Sequence, residues 1–134
     1  MGYLKIGELA KMTETSVETL RYYEAENLLP APRRSASGYR LYTEPYVGRV
    51  HFIRRARAMD FSLKEISELL SLQLGKEVAT CGKVKSLAER KLAAIDEKIG
   101  ELEKMKDALQ RVTDACAGGQ ESAAHCTILN ALES

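Results

Sequence analysis

Cys81, Cys116 and Cys126 are the residues of this chain best suited to chemistry. Thiolates are soft donors that suit Zn, Cd, Pb, Hg and Cu(I). An odd count of three fits poorly with a disulfide framework. The first residues, MGYLKIGELA, lack the basic start and apolar stretch of a secretory signal. The expectation is a cytoplasmic protein whose cysteines serve as thiols or metal ligands. Cys116 and Cys126 flank a nine-residue loop containing Ala117, Gly118, Gly119 and Ser122, and such a loop can fold around an ion. Cys81 precedes Cys116 by 35 residues. If one helix fills that interval, it rises about 50 Å and keeps Cys81 away from the loop of its own chain. An antiparallel dimer would bring the partner protomer's Cys81 there instead. His125, beside Cys126, is a candidate fourth ligand. Plainer roles stay open: Cys116 as a last coil-facing residue, Cys126 packed beneath a final helix, and His125 in solvent.

The elements that must position these thiols follow from pattern. Apolar residues from Ala88 through Leu92, Ile95, Ile99, Leu102, Met105, Leu109 to Val112 recur at steps of three and four. That spacing predicts a long, largely charged helix over about 82–114, with Cys81 at its start, where the helix dipole favours thiolate. Such a helix cannot bury its stripe alone and calls for a partner helix. Glycines 118 and 119 stop it, and a short final helix is expected over 126–132.

The first half has a different organisation. A short strand is expected at 3–5, a helix at 6–12, a polar turn, and a second helix at about 17–26 capped by Thr15 or Ser16. Two short helices on a tight turn make a helix-turn-helix candidate. Alternation through Gly38-Tyr39-Arg40-Leu41-Tyr42 predicts a β-hairpin wing. Thr43 is the expected cap of a third helix over 44–59, and Ser62-Leu63-Lys64-Glu65 reads as a capping box opening a fourth helix. Leu20, Leu28, Leu41, Val50, Phe52, Ile53, Ile66 and Leu69 are the candidate core. The chain therefore reads as mainly α, with a winged helix-turn-helix domain over 1–74. A dimerisation helix and a metal-binding loop fill 75–134.

Charge separates these halves. Net charge is only +1, but residues 31–57 carry seven arginines against one acid, a local balance of +6. A basic patch on a near-neutral protein is the footprint of phosphate binding. Arg21 on the second helix can pair with guanine in the major groove, with Glu18, Tyr22, Thr15 and Ser16 around it. Arg33, Tyr39, Arg40 and Arg54 are expected to reach the DNA backbone. Tyr39 and Arg40 alternate, so one faces the core and the other the DNA. A helical interaction domain with a solvated basic face is the competing reading. No nucleophile and base are spaced for catalysis, and no phosphate-cradling loop is present, so an enzyme is not expected. No apolar run approaches the roughly 20 residues of a membrane span.

Four segments carry a resemblance. Lys5-Ile6-Gly7-Glu8-Leu9-Ala10, Leu20-Arg21-Tyr22-Tyr23-Glu24, Gly38-Tyr39-Arg40-Leu41-Tyr42 and Phe61-Ser62-Leu63-Lys64-Glu65-Ile66 are similar, in order, to the MerR family of bacterial transcription regulators. The resemblance implies a winged helix-turn-helix, an antiparallel coiled-coil homodimer, and Arg21, Tyr22, Tyr39 and Arg40 at or near promoter DNA. It also implies that Cys81, Cys116 and Cys126 stand where the family's divalent-metal sensors hold their ligands. Members that sense monovalent metals generally carry serine at the position of Cys81. The loop and the Cys-Thr-Ile-Leu ending most resemble the zinc regulators, then the cadmium and lead ones. Ala117 stands where zinc regulators have a further cysteine, and Glu121 where they have a histidine. Three thiolates alone suit Cd, Pb or Hg, whereas zinc prefers four ligands.

The function implied is activation of heavy-metal efflux or resistance genes. A metal-bound homodimer would distort its promoter for RNA polymerase. A mercury(II) regulator of the same family, or a coiled-coil module with a thiol redox switch, is the alternative.

Overall fold

Local capping decides where most helices of the computed structural model begin; the structure describes residues 2–134. Helix α1 (Ile6–Met12) opens with the Glu8 carboxylate accepting from the Lys5 backbone N–H at 3.0 Å. Helix α2 (Val17–Ala25) opens at Ser16, whose hydroxyl accepts from the Thr19 N–H at 3.0 Å. Helix α3 (Pro45–Ala58) starts differently from expectation. Its cap residue is Glu44, without a side-chain capping bond, and Thr43 contributes only its backbone carbonyl, which accepts from Tyr46 N–H. No hydroxyl is needed because Pro45 has no N–H and the next two donors are already met by backbone: Tyr46 N–H by the Thr43 carbonyl at 3.1 Å and Val47 N–H by the Glu44 carbonyl at 2.9 Å. Helix α4 (Leu63–Leu74) has the expected box, with Ser62 accepting from Glu65 N–H at 3.1 Å and Glu65 accepting from Ser62 N–H at 2.8 Å.

Between α2 and α3, strands β1 (Arg33–Arg34) and β2 (Arg40–Leu41) pair antiparallel, Arg33 opposite Leu41 and Arg34 opposite Arg40. Gly38 takes a positive φ of 88° at the hairpin tip, a conformation in which a side chain would be strained. The expected strand at 3–5 shortens to a single bridge, Leu4 to Tyr42.

One core unites these elements. Leu9, Leu20, Tyr42, Val50, Ile53 and Ile66 are fully buried, with Ala10, Tyr23, Leu28, Leu29, Ala56, Phe61 and Leu70 closing around them. Leu41, Phe52 and Leu69, expected in the core, are only half-buried. Tyr42 was not expected to fill it. Its ring stands edge-on to Tyr46, centroids 5.0 Å apart, and its hydroxyl is satisfied, so burying the polar tip is affordable. Each such large side chain contributes about 1.5–3 kcal/mol.

Helix α5 (Cys81–Asp114) is 34 residues long and begins one residue earlier than expected. The chain divides into two compact units within its first turn, one closing at Val84 and the other beginning at Lys85. Beyond that point α5 buries nothing: Leu92 and Leu102 are each 61% exposed, and Ile99, Met105 and Leu109 are exposed too. Gly118 and Gly119, with φ of 74° and 96°, turn the chain after α5. A 3₁₀ turn at Ala123–His125, not expected from the sequence, leads into α6 (Thr127–Glu133), with Cys126 as its cap residue. Among the described residues no helix is long and apolar enough to cross a membrane.

Candidate metal centre and nucleic-acid interface

The thiols occupy two places. Cys116 follows α5 and Cys126 precedes α6, and the glycine turn between them brings the two side chains close enough to interact across one hollow. Backbone N–H groups of Leu129 and then Ile128 face the Cys126 sulfur, although neither completes a regular capping bond. Those two dipoles hold the Cys126 pKa below the ordinary thiol value against the smaller opposing effect of desolvation, and the Cys116 thiol adds the least. An open hollow of about 370 Å³ lies here, lined by Cys116, Glu121, Ser122, His125 and Cys126 among others. Two soft donors beside a roomy loop match two of the three thiols of the expected site. His125 is exposed in the 3₁₀ turn.

Cys81 is elsewhere. It is exposed at the first position of α5, at the rim of an apolar hollow of about 160 Å³ lined by Phe52, Leu69, Leu72 and Val84. Among the described residues, no group of three His, Cys, Asp or Glu side chains within the chain could hold a metal ion. The fold joins two of the expected ligands and leaves the third apart.

The expected DNA-contacting residues divide by what they touch. On α2, Leu20 and Tyr23 turn inward, while Glu18, Arg21 and Tyr22 are exposed. Ser16 is committed to the helix start, its hydroxyl 2.8 Å from that of Thr19. Thr15 pairs with Thr13 at 2.8 Å, and buried Thr13 donates to Leu9 carbonyl at 2.7 Å. Thr13 was missed because a lone threonine in a polar turn carries no signal of burial. Arg54 donates to the Thr13 carbonyl. Its guanidinium therefore braces the turn between α1 and α2.

On the wing, Tyr39 is 62% exposed, with the Lys5 ammonium 5.5 Å from its ring centroid. Arg33 donates to the Tyr3 hydroxyl at 3.4 Å, and Arg34 to the Gly38 carbonyl at 2.9 Å. Of the alternating pair, Tyr39 is the outward residue. Arg40 turns back to Glu24 of α2, in an ion pair at 3.3 Å. Tyr42 also donates to Glu24, at 3.2 Å. The two-residue period of a strand puts Arg40 and Tyr42 on one side; that was the available signal for Glu24, and it names no partner. Desolvation, followed by the Glu24 charge and hydrogen bond, raises the Tyr42 pKa to about 12. Desolvation and then Glu24 raise that of Tyr46, whose hydroxyl donates to the Pro30 carbonyl at 2.9 Å.

A family profile for MerR HTH family regulatory proteins matches residues 4–73, and one for MerR, DNA binding matches residues 47–112. The chain is 44% identical over 129 residues to the HTH-type transcriptional regulator ZntR of Escherichia coli K12, covering 96% of this chain and 92% of that one. It is 38% identical to a mercuric resistance operon regulatory protein of Serratia marcescens, over 97% of this chain and 88% of the other. Among solved structures, PbrR691 of Ralstonia metallidurans CH34 in complex with lead(II) superposes with a TM-score of 0.81 at 39% identity, covering 96% and 98% of the two chains.

Proposed function

The chain belongs to the MerR family of helix-turn-helix regulators, and from that premise we propose that it activates heavy-metal efflux or resistance genes in response to a divalent ion. The observation that carries this reading is the contact between Cys116 and Cys126 at the end of a chain whose third cysteine opens α5. A helix of 34 residues rises about 50 Å. The third sulfur at each loop is therefore assigned to a partner protomer's Cys81, in an antiparallel homodimer that also covers the exposed stripe of α5. In functional terms residues 1–74 bind DNA, and residues 75–134 dimerise and sense metal.

Three thiolates form a soft site suited to Cd, Pb or Hg; with His125 or water as a fourth ligand it also suits Zn. When bound, the ion supplies a cross-link between two subunits. The protein's own residues do the rest. Arg21, with Glu18 and Tyr22, enters the major groove on α2, while Arg33, Tyr39 and Arg40 hold the flanking backbone. Thr15, Ser16 and Arg54 keep the turn at the groove in shape. Metal need only favour one of two dimer packings by a few kcal/mol. Bending the promoter into register for RNA polymerase costs on the order of several kcal/mol. Such a regulator works in the cytoplasm.

The test is alkylation of the three thiols with and without Zn, Cd, Pb or Hg, followed by transcription from the bound promoter with each ion. Protection of all three cysteines by an ion that also activates supports the reading. Air-driven crosslinking without metal protection replaces it with a redox switch.

A further inference from the structure

One carboxylate joins the wing to the helix before it. Glu24 ends the Leu-Arg-Tyr-Tyr-Glu run of α2 and has an 18% exposed side chain. Arg40 Nε lies 3.4 Å from its Oε1 and 3.3 Å from its Oε2, and the Tyr42 hydroxyl donates to Oε2 at 3.2 Å. An acid at this place opposes phosphate binding by charge alone. Its geometry gives it another use. Both contacts engage Nε, and arginine's two terminal nitrogens form a fork that matches a phosphate. Arg40 is 27% exposed, so the fork is neither enclosed nor loose in solvent.

We propose that Glu24 is a positioning residue: it holds Arg40 on the wing so that the terminal nitrogens face a DNA phosphate. This rests on the reading of the chain as a promoter-binding regulator.

The wild-type protein first selects a duplex from a randomised library, and affinity for that duplex is then measured across a salt series. Glu24→Gln removes a negative charge, so charge alone demands tighter binding. Positioning demands the reverse: about tenfold weaker binding and a salt dependence shallower by about one phosphate, roughly 0.9 in slope. Tyr42→Phe removes a donor from the same carboxylate but leaves the Arg40 pair. It lowers the melting temperature and leaves the salt slope unchanged. Arg40→Lys keeps the charge, lacks Nε and reproduces the shallower slope, which maintains the test if Glu24→Gln does not fold. Equal or tighter binding by folded Glu24→Gln overturns the proposal, as does an unchanged slope in Arg40→Lys. A wild-type protein that selects no duplex overturns the promoter-binding reading and this one with it. A wild type that binds while the variants keep its slope overturns the positioning role alone.

Discussion

Mixing Cys81→Ser protomers with Cys116→Ser protomers is expected to restore metal binding that neither variant has alone. Sulfurs sharing one ion at bond lengths of about 2.3 Å lie within about 4 Å of each other. The helix that begins at Cys81 and ends two residues before Cys116 has 34 residues, a rise of about 50 Å. No side-chain rotation closes a gap of that size, so a three-sulfur site needs two chains. In a mixed dimer one end then combines both lesions, and the other keeps all three cysteines. With free exchange about half the dimers are mixed and each holds one intact site, so about a quarter of the wild-type capacity returns. Two affinity tags isolate the mixed dimer, and equilibrium dialysis against Cd(II) counts the ions. The control pairs wild type with the Cys81→Ser/Cys116→Ser double variant, which leaves no intact site if the sulfurs come from two chains and one if they come from a single chain. The reasoning is refuted if the mixed single variants bind nothing while the control dimer binds one ion.

Three further outcomes are expected. Leu102→Glu puts a charge into the exposed stripe of α5, where Leu102 is 61% exposed; sedimentation should show monomers while the melting of the winged domain is unchanged. Ser62→Ala removes one half of the capping box of α4 and should cost about 1 kcal/mol in urea denaturation; a loss near zero would mean that packing alone sets that helix start. Tyr42 has its pKa raised from 10.0 to about 12, so the fold binds its proton more tightly than the unfolded chain does. That stabilisation is complete below pH 10 and disappears as pH rises through 12, on the order of 2–3 kcal/mol. Denaturation of wild type and Tyr42→Phe across that window should show the steeper loss in wild type, and parallel curves would contradict it.

How far the sequence could be read depended on the range of the interaction involved. Ser16 and Ser62 start helices through atoms three residues away, and both starts were legible. Thr43 misled because a capping residue type stood before a helix whose first free N–H groups, those of Tyr46 and Val47, are met by backbone carbonyls instead of its hydroxyl. Among the expected DNA contacts, Arg21 and Tyr39 are exposed, whereas Arg54 braces a turn 41 residues away in the chain. Charge counting treats Arg54 like the other six arginines of residues 31–57, because it contains no information about which carbonyl a guanidinium will find.

The residues themselves decide the local vocabulary of this protein: helices from caps and period, a hairpin from alternation and Gly38, and soft-metal chemistry from three thiols. Tertiary structure decides the pairings. It buries Tyr42, ties Arg40 to Glu24, and closes the loop so that Cys116 meets Cys126 while Cys81 stands apart. The physical reason is that caps and periodicity are satisfied within one turn of chain. A buried hydroxyl, a buttressed guanidinium and a thiol pair are satisfied only by groups that folding brings from elsewhere.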